Sequence, residues 1–181
     1  MLKWFTSTFA SREITAEEQL YIDIVERARQ PIFYADYGVS DSLSGRFEMI
    51  VLHMFAVLER LKTEGDEGQK FGQRLLEVFF STLDGDLREM GVGDTSVPKK
   101  MQKAAEATYG RLQSYAQARM ADTPAELAQA FERNVFEPDV LRAPQPGALV
   151  TYLEELMGVL QCRSFDELQR GAINWPDAKP A

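Results

Sequence analysis

Apolar residues recur every three to four positions along most of the chain, which is the pattern of amphipathic helices. The first long stripe has a spacing close to 3.6 residues per turn and consists of Leu43, Phe47, Ile50, Met54, Val57, Leu58 and Leu61. The second comprises Phe71, Leu75, Val78, Phe79 and Leu87. No alternating pattern typical of β-strands accompanies these stripes. We therefore predict an all-α fold, a single helical domain of about six to eight helices.

Capping and breaking residues predict where the helices begin and end. Thr15 and Glu18 have the spacing of a capping box, which opens a helix that lasts until shortly before Pro31. Ser40 is predicted to cap a long helix that ends near Lys62. Further helices are predicted over about 69–90 and 97–121, after Thr123, across 149–160 and after Ser164.

The boundaries of the helical pattern divide the chain into a tail over residues 1–13, a helical domain over 14–171 and a second tail over 172–181. Lys3 and Thr6 interrupt the apolar residues near the N-terminus, so we expect no targeting segment there. No stretch approaches the roughly 20 apolar residues of a membrane span. We predict a cytoplasmic protein, with peripheral contact at the inner face of the membrane as an extension of that prediction.

Charge and composition narrow the classes of function. The net charge of -8 argues against nonspecific binding of DNA. One cysteine and one histidine supply neither a disulfide framework nor a zinc site. No cofactor or metal is expected.

Few residues are candidates for catalysis. His53 lies on the flank of the first stripe, where we expect a half-buried side chain with one hydrogen bond. A general base would need an orienting acid and a substrate pocket, and neither is evident. Cys162 is expected in the core, and Glu17 and Glu18 on a solvated face. We predict no catalytic residue; the alternative is a helical enzyme or small-ligand-binding protein with a pocket near His53.

The segment "LREMGVGDTSVPKKM", residues 87–101, connects two predicted helices. Met90 and Gly91 are typical of a helix end, because glycine adopts the left-handed conformation without steric cost. Asp94 and Ser96 are expected to cap the next helix, as is Thr95 between them. Every residue therefore has a structural explanation as a corner between helices.

Basic charge is concentrated immediately after this corner. Residues 95–120 contain five basic residues against one acidic residue. Lys99, Lys100 and Lys103 lie near a helix N-terminus, where the helix dipole disfavours cations. Either neighbouring acidic helices neutralise these charges, or they contact an anionic partner such as a lipid headgroup, an RNA phosphate or an acidic protein face.

Three segments carry a family resemblance: "GRFEMIVLHMFAVLERLK", "LLEVFFSTLDGDLREMGVGDTSVPKKM" and "AAEATYGRL". Together they resemble the ubiquinol–cytochrome c chaperone family over roughly residues 30–120. The resemblance implies an all-helical assembly factor for ubiquinol–cytochrome c reductase, respiratory complex III. Mitochondrial members act with a small partner protein near the ribosome exit tunnel and hold newly made cytochrome b. The short chain resembles the bacterial branch.

The resemblance and the charge pattern together predict a contact surface. Its predicted residues are Arg88, Glu89, Met90, Val92, Asp94, Lys99, Lys100, Lys103 and Arg111. The aromatic connector and the histidine form a second candidate, either a partner groove or a cover of the core, at Phe33, Tyr34, Tyr37 and His53. The implied partner is nascent cytochrome b or another complex III component, and further candidates are a small partner protein, the ribosome and an anionic membrane surface.

Overall fold

A computed structural model describes residues 13–121, 123–136 and 143–179. This part of the chain contains six helices of eleven or more residues, two helices of five residues and no strand. The helices are α1 (Ala16–Ala28), α2 (Pro31–Ala35), α3 (Leu43–Leu61), α4 (Gly65–Glu89), α5 (Val97–Met120), α6 (Pro124–Asn134), α7 (Pro146–Gln161) and α8 (Phe165–Gln169). The predicted all-α fold is confirmed.

Local hydrogen bonds explain most of the helix boundaries. The capping box of Thr15 and Glu18 opens α1 as predicted. Ser42, not Ser40, caps α3, because the Ser42 hydroxyl accepts a hydrogen bond from the Gly45 backbone N–H at 3.1 Å. Helix α4 begins at Gly65, earlier than predicted, since only a short 3₁₀ turn separates it from α3.

Helix α3 lies at the centre of the core and packs against α1, α4, α5 and α7. Its residues from Met49 to Val57 are all buried, so the helix contacts neighbours on every side. Helices α1 and α4 run parallel: Glu17 pairs with Arg74 at 2.5 Å, and further along Tyr21 packs edge-on against Phe79. This arrangement leaves the C-terminal ends of α1 and α4 beside the N-terminal end of α3.

Several exposure predictions were wrong. Glu17 and Glu18 are buried, because Arg74 and the capping box provide partners for their carboxylates. Cys162 is exposed, since it follows the last residue of α7 rather than facing the core. Leu43, the first residue of the predicted inward stripe, is 72% exposed because α3 begins beyond the edge of the core.

The C-terminal segment packs onto the helical core. Ile173 is buried, and the Trp175 ring meets His53 at a centroid distance of 5.7 Å. An Arg27 guanidinium N–H donates to the Pro176 carbonyl. Residues 172–179 therefore contribute to the fold without forming a helix. The predicted N-terminal tail, residues 1–13, lies outside the described residues except for Glu13.

The described helices do not have the hydropathy of membrane spans. Across the described ranges, no helix combines the length and the apolar character needed to cross a membrane. The long helices instead carry charged residues at regular intervals, as surface helices of a packed bundle do.

Candidate functional site

The corner between α4 and α5 is a well-formed Schellman motif. The Val92 N–H donates to the Leu87 carbonyl at 3.1 Å, and the Gly91 N–H donates to the Arg88 carbonyl at 2.9 Å. Gly91 has a φ of 79°, as predicted for a left-handed residue after the helix end. These bonds fix the direction in which the chain leaves α4 and therefore the position of the residues that follow.

Charged side chains hold the same corner from outside. Arg88 contacts Asp84 at 2.6 Å and Asp94 at 2.7 Å, so it bridges the last turn of α4 and the connector. Asp94 is therefore a partner of Arg88 rather than a helix cap. Ser96 occupies the N-cap position of α5, but its side chain makes no capping hydrogen bond, which corrects the capping prediction.

Three lysines of the predicted surface lie on the first turns of α5. Lys99, Lys100 and Lys103 are exposed, and none forms an ion pair with a described residue. The positive end of the helix dipole adds to their charge. The first turns of α5 consequently present a positive surface on a chain whose net charge is -8.

Arg111 differs from these lysines because its guanidinium group contacts a buried acid. It binds both carboxylate oxygens of Glu48, at 2.8 and 3.1 Å, and Glu48 is only 3% exposed. Burial raises the pKa of Glu48, although the hydrogen bonds and charge of Arg111 act in the opposite direction. Arg111 thus fastens α5 to α3.

An apolar groove of about 450 Å³ lies between α1, α3 and α4, beside the corner. Leu43 and Met90 stand at its exposed edge, and Met90 also belongs to the predicted contact surface. The other apolar side chains of the lining are Phe47, Ile50, Phe79, Leu83 and Leu87, with Tyr21 beside them. We call this site the α1–α3–α4 groove. Its size and lining are those of a site that receives an apolar ligand or side chains.

Three ionisable residues also line the α1–α3–α4 groove: Arg29, Arg46 and Asp86. Arg46 pairs with Asp41 at 2.8 Å. Burial raises the pKa of the Asp86 carboxyl, and the nearby charge of Glu89 acts in the same direction while that of Arg29 opposes it. The groove therefore combines an apolar lining with a small number of charges, which is the composition that gives a binding site orientation and selectivity.

The second predicted site does not form an open groove. Phe33, Tyr37 and His53 are buried, and Phe33 packs edge-on against the other two rings. The Tyr34 hydroxyl donates to the Ala28 carbonyl at 2.7 Å. These residues cover the core, which was one of the two interpretations of the aromatic connector.

His53 is part of a buried hydrogen-bond chain rather than half-exposed with one bond. Arg27 Nε donates to the Tyr152 hydroxyl at 3.0 Å, and that hydroxyl lies 2.8 Å from His53 Nε2. The Met49 carbonyl, 2.7 Å from His53 Nδ1, can only accept, so Nδ1 carries the proton and Nε2 accepts from Tyr152. Burial lowers the pKa of His53 to about 4, which keeps the ring neutral.

The side chains exposed in this region are of kinds that bind another molecule. His53 is fully buried and both its nitrogens have partners, so it has no contact with a substrate-accessible surface. Within the described ranges, no group of three or more His, Cys, Asp or Glu side chains is placed to hold a metal ion. What the surface offers is an apolar groove next to exposed lysines, a combination suited to holding another macromolecule.

The sequence predicted the basic side of this surface but missed the groove. Leu43, Phe47 and Ile50 were assigned to the core because their spacing is that of an inward-facing stripe. Asp86 gave no signal, since an acidic residue near a helix end is unremarkable in sequence. The missing information was tertiary: the groove exists only where the ends of three helices come together.

Known proteins similar to this chain point to one family. The family model described as ubiquinol-cytochrome C chaperone matches residues 35–175. Ubiquinol-cytochrome c reductase complex assembly factor 1 from Mus musculus is 23% identical over 158 residues, which are 87% of this chain and 53% of the mouse protein. This chain therefore spans about half the length of that relative. The Xenopus laevis assembly factor is 22% identical over 87% of this chain and 78% of its own length.

A solved structure gives the same assignment. The crystal structure of the Cbp3 homolog from Brucella abortus matches with a TM-score of 0.78 and 37% sequence identity, covering 90% of each chain. The two proteins are therefore similar in sequence as well as in helical architecture. The match of the family model covers the corner, α5 and most of the α1–α3–α4 groove. The chain belongs to the ubiquinol–cytochrome c chaperone family.

Proposed function

We propose that this protein holds newly made cytochrome b by non-covalent binding during the assembly of ubiquinol–cytochrome c reductase. The observation that carries the proposal is the pair of exposed apolar side chains, Leu43 at 72% and Met90 at 39%, on the edge of the α1–α3–α4 groove. Large apolar side chains exposed beside an apolar groove favour a protein partner. The family membership supports a partner that belongs to complex III.

The groove suits a newly made membrane segment for a physical reason. Such a segment exposes apolar side chains to water until it is inserted, and burial of apolar area contributes about 25 cal/mol per Å². The α4 residues that line the groove extend from Phe79 to Met90, a rise of roughly 16 Å along the helix. This length accommodates two to three turns of a helix that docks through residues spaced three to four apart. Binding by packing alone is reversible, as release during assembly requires.

The exposed lysines of α5 form the second part of the proposed contact. Lys99, Lys100 and Lys103 supply positive charge on the first turns of α5, and Met90 lies at the end of α4 on the other side of the connector. A ribosomal RNA phosphate, an anionic membrane surface or an acidic face of a small partner protein would satisfy these charges. The same proposed surface includes Arg88, Glu89, Val92 and Asp94. Arg111 contributes indirectly, because its ion pair with Glu48 fastens α5 to α3.

The proposed mechanism contains no catalytic step, and the place of action is the cytoplasmic face of the membrane. His53 has a structural role in this proposal, because its hydrogen bonds join α1, α3 and α7 within the core. The protein would bind its client, exclude water from the client's apolar segment and release it when the next assembly partner covers that segment.

A deletion strain tests the function. We expect the dithionite-reduced spectrum of its membranes to lack the cytochrome b and c signals of complex III, and the wild-type gene to restore both. A Leu43→Glu, Met90→Glu double variant should fail to restore them. Met120→Glu is the matched control, since Met120 is 86% exposed but does not line the groove. Normal spectra in the deletion strain would refute the assembly function.

Crosslinking tests the client and the surface together. A photo-crosslinking amino acid at position 90 should capture nascent cytochrome b, and the same group at position 120 should not. Equal capture at both positions would exclude the groove as the binding site. Capture of a different complex III subunit at position 90 would retain the groove and correct the identity of the client.

A further inference from the structure

Asp86 is an acidic side chain within the apolar lining of the α1–α3–α4 groove. Leu83 lies three residues before it and Met90 four residues after it, so all three are on one face of α4. The Asp86 carboxylate forms no hydrogen bond or ion pair with any residue in the described part of the chain. An acid in this position has to be explained, because an apolar residue there would extend the lining without interruption.

Neighbouring charges do not neutralise Asp86 by contact. Arg46 is paired with Asp41, and Arg88 is paired with Asp84 and a connector aspartate. The charge of Arg29 acts on Asp86 from a distance, but burial and Glu89 outweigh it and the pKa of Asp86 is raised. The carboxylate is thus partly desolvated without a cation paired to it among the described residues.

Docking of an occupant would remove more water from Asp86. A wholly apolar occupant would leave a covered carboxylate without a hydrogen-bond partner, which is unfavourable for binding. A cationic side chain on the occupant would supply both the opposite charge and the hydrogen bonds. Its aliphatic stem would lie along the apolar lining, as the stems of Lys and Arg do at apolar surfaces.

We propose that the α1–α3–α4 groove is specific for an apolar helical segment that carries one Lys or Arg, and that Asp86 pairs with this cation. The inference rests on the proposed function of the groove as the client-binding site and adds the chemistry by which a client is selected. Ionisable residues inside membrane helices are costly to place in a bilayer. The segments selected in this way are therefore those that partition least readily into the membrane by themselves.

Charge argues against an anionic amphiphile as the occupant. Asp86 would repel the headgroup from inside the groove, and Glu89 would repel it from the adjacent turn. Of the two basic lining residues, Arg46 is already paired with Asp41, and the charge of Arg29 acts on Asp86. A helical peptide with a single cation matches both the apolar lining and its unpaired acid.

Synthetic peptides test the inference on the full chain. The probe is an amphipathic helical peptide of about five turns, with a uniform apolar face, a neutral polar face and a fluorophore, made with Lys, norleucine or Glu at one central position of the apolar face. Fluorescence anisotropy should show the Lys peptide binding wild-type protein roughly tenfold more tightly than the norleucine peptide. Asp86→Asn should abolish this preference.

Asp66→Asn is the matched control, because Asp66 lies in the first turn of the same helix and outside the groove. This variant changes the net charge equally and should keep the preference for Lys. Asp86→Lys should reverse the preference in favour of the Glu peptide. The fold of Asp86→Asn can be verified by circular dichroism, and we expect little change because the carboxylate makes no hydrogen bond to a described residue.

The outcomes separate this inference from the proposed function. Equal binding of the Lys and norleucine peptides, with both weakened by Leu43→Glu, would overturn the role of Asp86 and leave the groove as the binding site. Tightest binding of the Glu peptide by wild-type protein would also overturn it. Failure of all three peptides to bind would refute the groove as a helix-binding site and this inference with it.

Discussion

Arg111 on α5 and Glu48 on α3 form a bidentate ion pair in which the carboxylate is buried. Arg111 was expected on the contact surface, and this ion pair gives it a structural role. Burial raises the pKa of Glu48 and Arg111 opposes this shift, while the hydrogen bond and charge of Glu48 raise the pKa of Arg111, so each partner offsets part of the desolvation cost of the other.

Replacing one member of this pair should be worse than replacing both. We expect Arg111→Met to lower the free energy of unfolding by roughly 3 kcal/mol, because Glu48 would remain buried without a cation. The double variant Glu48→Met, Arg111→Met should recover most of this loss. Urea unfolding monitored by circular dichroism measures both. A double variant less stable than Arg111→Met would show that the pair stabilises the fold beyond its desolvation cost.

Charge reversal at the start of α5 should separate binding from folding. Lys99→Glu with Lys100→Glu should change the free energy of unfolding within about 0.5 kcal/mol, because both side chains are exposed. The same variant should weaken co-purification of the partner. Lys62→Glu with Lys70→Glu changes the net charge equally and is the control: Lys62 lies in the 3₁₀ turn before α4, where it pairs with Glu59, and Lys70 lies near the start of α4. Loss of folding would make the two lysines structural, and unchanged binding would remove them from the surface.

Stability should depend on pH through His53. The unfolded histidine binds a proton below about pH 6.5, whereas the folded one remains neutral to about pH 4. The contribution of His53 to the free energy of unfolding is thus complete above pH 6.5 and decreases as the pH falls. By pH 4 the loss is on the order of 3 kcal/mol. The difference in unfolding free energy between wild type and His53→Gln should shrink over this range. A constant difference would contradict the buried neutral state.

Two glycines with positive φ should respond differently to alanine. Gly91→Ala should cost about 1 kcal/mol, because its φ is 79° but an added Cβ would have no described residue beyond its chain neighbours within 4 Å. Gly38→Ala should cost clearly more, since its φ is 77° and an added Cβ would lie 2.6 Å from the Ala143 carbonyl oxygen. Thermal unfolding compares the two. Equal losses would show that the backbone at Ala143 moves away without cost.

The helical architecture was predictable because it depends on local information. Periodicity placed the long helices, and the capping box at Thr15 and the serine at Ser164 marked two helix starts that the structure contains. The Gly91 helix end followed from its lack of a side chain. The error at Ser40 arose because a second serine lies two residues further on, and it is the Ser42 hydroxyl that accepts the hydrogen bond from the Gly45 N–H.

The site was less predictable because burial depends on how helices meet. His53 and Arg111 both lie on the flank of a helical stripe, yet one is enclosed by aromatic rings and the other joins two helices. The groove required the ends of α1, α3 and α4 to converge, which no local pattern encodes. Met90 was predicted for the surface from its place in the corner, and its role beside Leu43 became visible only with the fold.

The hydrogen bond from Arg27 to the Pro176 carbonyl spans 149 residues, and the same guanidinium contacts Tyr152. During translation at about 5 to 20 residues per second, roughly 7 to 30 seconds pass between synthesis of the two ends of this contact. Until Tyr152 has been synthesised, Arg27 and His53 lack its hydroxyl, and until Trp175 follows, His53 also lacks the Trp175 ring. The helical core therefore reaches its final form only after the segment that closes it, which contains Trp175 and Pro176, has left the ribosome.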